Sequence, residues 1–127
     1  MSFTLMDSSS ENFEFQANVW HWKTALEVIK SFDVLSEGKI KQMSYNATGV
    51  KLEKDEAHLI GERMQNEILP KLAPNKRIFA DLSITDTPDD GTLYRDEDEQ
   101  WKNYSASYDF LKELSEFCLK SKGFQVF

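Results

Sequence analysis

The chain is poor in the residues that staple or metallate a fold: it has one cysteine, Cys118, and two histidines, His21 and His58. A single thiol excludes an internal disulfide, and two distant histidines leave no Cys/His cluster with zinc-ligand spacing. The expectation is a reducing, cytoplasmic setting with no metal. No stretch approaches the roughly 18 apolar residues that span a bilayer, and the opening Met1-Ser2-Phe3-Thr4-Leu5-Met6 has no basic region leading into an apolar run, so neither a membrane segment nor a secretory signal is expected. Without export, the glycosylation pattern Asn46-Ala47-Thr48 meets no glycosylating enzyme. Positive charge is also short, 15 basic against 22 acidic residues for a net charge of −7, which argues against nucleic acid and anionic membrane as partners. There is no Gly-rich phosphate cradle and no Gly-x-Ser-x-Gly elbow. Cofactor and hydrolase chemistry therefore have no anchor, and no cofactor is expected.

What is present suffices for one folded domain. Of 127 residues, 40% are apolar and 29% charged, a balance that can bury a core. Residues 1–11, with the run Ser8-Ser9-Ser10, read as a flexible arm, and 12–127 as a single globular domain. Phe13 and Phe15 alternate with polar neighbours, as do Phe124 and Val126, so two short strands are expected to pair and join the termini. Asn18 suits the N-cap of a helix over 19–33 whose stripe is Trp22, Ala25, Leu26, Ile29 and Phe32. A short helix after Ser36, a helix with the stripe Ala57, Ile60, Met64, Ile68 and Leu72 that ends near Leu69 or kinks there at Pro70, and a last helix from about 105 to 122 stopped by Gly123 follow. Ile78, Phe79, Leu82 and Ile84 suit a pinned loop or a short strand. The fold class read from these patterns is mainly α (α+β): three to four helices with a small β element joining the N- and C-terminal segments.

Several groups could carry chemistry. Trp20 and Trp22 lie two apart, so on a helix only one can face the core; Trp22 continues the stripe, leaving Trp20 either to pack at the helix start or to meet a partner. His21 has no nearby nucleophile or metal partner, and Cys118 falls on an apolar stripe where a thiol stays protonated. Glu53, Asp55, Glu56 and His58 crowd one turn without the HExxH spacing of a zinc helix. Asp86 to Glu97 matches a calcium loop at its first, fifth, sixth, eighth and twelfth positions, but Pro88 stands third, where a side-chain oxygen is required. The strongest feature is charge: Asp81 to Glu99 holds eight acids and one base, 1 − 8 = −7, while the remainder balances at 22 − 8 = 14 acids and 15 − 1 = 14 bases. Such a run is either a solvated loop or, with Tyr94 and Trp101 beside it, a face for a basic protein.

Phe15 to Trp22 with its Asn-x-Trp-x-Trp core, the Asn46-Ala47-Thr48-Gly49 loop leading to the Ala57 helix, and Phe117 to Val126 with its Ser-x-Gly-Phe ending resemble a group of small, largely uncharacterised bacterial proteins. Some members of that group are similar to the immunity partners of bacterial toxins. Together with the acidic segment, the resemblance leads to the expectation of a non-enzymatic, cytoplasmic, protein-binding domain that neutralises a basic toxin or enzyme. Its contact residues would be Asp89, Asp90, Tyr94, Asp96, Glu97, Asp98, Glu99 and Trp101. Two other readings stay open: a small-molecule or enzymatic domain with a pocket near Trp20, His21, Tyr45 and Asn46, and a structural domain.

Overall fold

A computed structural model of the chain describes residues 2–9, 13–45, 49–72, 74, 76–86, 95–98 and 104–127. The first of these overturns the expectation of a loose arm. Phe3 and Leu5, separated by the half-buried Thr4, are buried at 1% and 0% exposure, and they belong to β1 (Ser2–Asp7), an inner strand of a four-stranded antiparallel sheet. Its neighbours are β2 (Glu14–Asn18) and β7 (Gly123–Val126), and β3 (Val50–Glu53) closes the far edge, giving the order β2-β1-β7-β3. Register puts Phe3 opposite Ala17, Leu5 opposite Phe15 and Val126, and Leu52 opposite Phe124. One face of the sheet is therefore apolar, and the other carries Glu14, Gln16, Lys51 and Gln125. The strands carrying Phe15 and Phe124 do not pair with each other as expected, because β1 lies between them.

A second antiparallel sheet has the order β5-β4-β6, built from β4 (Arg77–Phe79), β5 (Ile84–Thr85) and β6 (Ser105–Ser107). With two sheets and four α-helices among the described residues, the fold is mixed α+β, which corrects the expectation of a mainly helical chain with one small β element. The cause is strand length. A strand of two or three residues, such as Ser105-Ala106-Ser107, is too short to show alternation, and its ladder partners stand far off in sequence.

The helices follow the expected stripes more closely. Asn18 caps α1 (Val19–Ser31), accepting from the His21 amide at 2.9 Å, and Trp22, Ala25, Leu26, Ile29 and Phe32 are buried. The Trp22 indole donates to the Met43 carbonyl at 2.9 Å, joining α1 to the end of α2 (Glu37–Met43). Lys39 of α2 meets Glu56 at 2.6 Å in the first turn of α3 (Lys54–Arg63). The desolvation of Glu56 is outweighed by its bonds to the Glu53 amide and Lys39, which hold its carboxyl below the usual range. Beyond Arg63 the helix widens into a π-helical turn, Met64–Ile68, in which the Leu69 amide donates to Met64 just before Pro70 removes a donor. Gly61 lets α3 lie against α4 (Tyr108–Lys120): a Cβ there would stand 2.8 Å from Leu119 and 2.9 Å from the Ser115 carbonyl. Helix α4 starts three residues later than expected because 105–107 are drawn into β6. Gly123, at φ +101°, opens β7 rather than merely ending the helix, and a Cβ there would meet the Leu52 carbonyl at 2.7 Å.

Candidate functional site

The acidic segment begins at a turn that uses one of its own carboxylates. Asp81 accepts from the Ser83 amide at 3.0 Å and the Ser83 hydroxyl at 2.6 Å, and Leu82 takes a positive φ of 71° as the chain reverses from β4 to β5. Asp81 is thus partly structural. Asp86, Asp96, Glu97 and Asp98 are exposed to solvent. Asp89, Asp90, Tyr94, Glu99 and Trp101 lie outside the described residues, as does most of the calcium-like stretch between Asp86 and Glu97. Among the described residues no three His, Cys, Asp or Glu side chains are grouped to hold a metal.

Of the residues expected around a pocket, Trp20, His21 and Tyr45 are not in the lining of the hollow between α1 and α2, although Trp20 stacks on its lining residue Tyr104. Trp20 is 43% exposed, with its ring 5.1 Å from that of Tyr104, and the Lys23 ammonium stands 4.8 Å from the Tyr104 ring centre. His21 packs on Phe110 at 5.1 Å, Tyr45 is 56% exposed, and Asn46 lies outside the described residues. That hollow, about 580 Å³, is lined by α1 and α2 together with Ala80 and Tyr104. Its walls are Lys23, Leu26, Glu27 and Lys30 on α1 and Glu37, Ile40, Lys41 and Ser44 on α2. Both quartets have the same spacing, three, one and three, so each is a single helix face. That spacing was present in the sequence, but these stripes are largely charged and resemble solvated helix surface. Only the packing of the two helices makes them face one hollow.

Cys118 is fully buried on α4, and burial pushes its thiol up to about 12, so it supplies no nucleophile at neutral pH. No described helix is long and apolar enough to cross a membrane. Compared with known proteins, the chain matches no family model, no curated protein and no solved structure. What fold and site define is a mixed α+β domain whose surplus negative charge falls within 81–99 of the sequence and which has a groove walled by two helices.

Proposed function

We propose that the chain is a cytoplasmic protein-binding domain of the immunity type, which neutralises a basic toxin or enzyme by covering it with the acidic segment 81–99. The observation that carries this reading is the exposure of Asp86, Asp96, Glu97 and Asp98 on a body whose other charges balance. Eight acids against one base within 19 residues of sequence produce a local negative field, which steers a cationic partner and fixes its orientation. If the partner acts on nucleic acid, its site is already shaped for phosphates, and exposed carboxylates present similar anionic oxygens. Tyr94 and Trp101 would supply the aromatic anchors that give such an interface its affinity. The resemblance of the Asn-x-Trp-x-Trp and Ser-x-Gly-Phe segments to immunity-like proteins supports the same reading. Inhibition here is occlusion and needs no catalytic residue.

The test is capture of a partner from native lysate, followed by measured affinity of the purified pair. The expected partner is basic, binds more weakly as salt rises, and loses about tenfold or more in affinity to an Asp96→Lys/Glu97→Lys variant, chiefly through association rate. Equal affinity for both proteins at every salt concentration would remove the acidic face from the interface.

A further inference from the structure

The groove between α1 and α2 has none of the acids of segment 81–99 in its lining, and the charge of that lining is opposite in sign. Its apolar lining is Leu26, which is buried, with Ile40, Ala80 and Tyr104, which are half-buried. Its rim holds three ammonium groups, Lys23, Lys30 and Lys41, against two carboxylates, Glu27 and Glu37, a balance of 3 − 2 = +1. Helical spacing lets each carboxylate be balanced by a lysine on its own helix, Glu27 by Lys23 four residues before it and Glu37 by Lys41 four residues after it. Lys23 is also held over Tyr104. Lys30 on one wall is then the surplus cation, and Lys41 on the other is in no ion pair among the described residues. The volume, about 580 Å³, falls in the range of roughly 300–1,000 Å³ typical of small-molecule sites.

We infer that this groove binds a small organic anion with an apolar body, its flat or aliphatic part on Leu26, Ile40 and Tyr104 and its acidic group between Lys30 and Lys41. The apolar lining gains from desolvating such a body, and an ammonium at a partly enclosed rim attracts an anion more strongly than one in open solvent. A basic peptide is disfavoured by the same lysines, so the groove and the acidic segment select ligands of opposite sign.

The probe is 8-anilinonaphthalene-1-sulfonate, with the uncharged N-phenyl-1-naphthylamine as its control, titrated into the folded full chain and followed by fluorescence and by amide chemical shifts. The expected result is saturable binding of the sulfonate, about tenfold or more tighter than the neutral amine, with shifts centred on Leu26, Ile40 and Ala80. Lys30→Glu/Lys41→Glu is expected to weaken the sulfonate by about tenfold or more and leave the amine unchanged. Both lysines are exposed, so thermal unfolding should be little altered, and Lys30→Gln/Lys41→Gln repeats the test without adding acids. Equal affinity for the two probes, an unchanged affinity in both variants, or shifts centred elsewhere, such as the smaller hollow beside Pro70 and Lys112, would each overturn the assignment. None of these outcomes bears on the acidic face, whose variant alters different residues.

Discussion

Asp7 ties the two ends of the chain together from a position that local sequence does not mark. Its carboxylate accepts from the Ser121 hydroxyl at 2.8 Å and the Lys122 amide at 2.9 Å, as well as from the amide and hydroxyl of Ser9. Burial by itself would raise this carboxyl, but the hydroxyl and amide donors outweigh it and hold it at about 2, below its usual 3.8. A depressed carboxyl stabilises the fold fully above the unfolded value near 3.8, and that contribution is lost as pH falls toward about 2. Asp7→Asn is expected to cost about 1–3 kcal/mol at pH 7, with the gap to the parent narrowing between pH 4 and 2 in urea titrations; a constant gap would show that the charge is not responsible. Thr24 is the converse case. Its hydroxyl is buried on α1 with no hydrogen-bond partner among the described residues, so Thr24→Val should stabilise the chain by about 1 kcal/mol in the same assay. Trp22 and Asn18 were legible from spacing and capping chemistry alone. Asp7 was not, because its decisive partners lie 114 and 115 positions away.

At the scale of elements, the helices were legible and most strands were not. A helix closes its hydrogen bonds within its own segment, so its apolar stripe and caps are local, as Asn18, Ser36 and Ser107 show by accepting from amides three residues ahead. A strand is defined by what lies beside it. The alternation of Phe3 and Leu5 is the same signal as that of Phe13 and Phe15, yet it stands next to a serine run that suggests a loose terminus. The sheet order makes β1 the strand that separates β2 from β7. Deleting residues 2–7 is therefore expected to abolish cooperative unfolding, because Phe3 and Leu5 leave the core and both neighbouring ladders lose their partner. Circular dichroism and a thermal melt would decide it: a truncated chain that unfolds in one sharp transition near the parent's temperature would restore the view of 1–11 as an arm.

For the whole molecule, charge and stability are separable. The core lies between the apolar face of the four-stranded sheet and the helices packed on it, whereas Asp86, Asp96, Glu97 and Asp98 are exposed. Asp96→Lys/Glu97→Lys changes the net charge from −7 to −7 + 4 = −3 and should leave the unfolding free energy within about 1 kcal/mol of the parent, since surface changes away from packed features have small effects. Denaturant melts check this, and a large loss would mean that the segment is part of the folded framework. The sequence by itself determined the helical stripes, their caps, the buried side of the tryptophan pair and the location of the surplus charge, because each depends on residues within a turn or two of one another or on a simple count. Only the tertiary structure decided that the N-terminal segment is an inner strand, that short segments distant in sequence form two sheets, and that two charged stripes eight residues long face one groove. Those outcomes depend on which distant segments meet, and pairing energy in a sheet or a groove belongs to both partners, so neither segment encodes it alone.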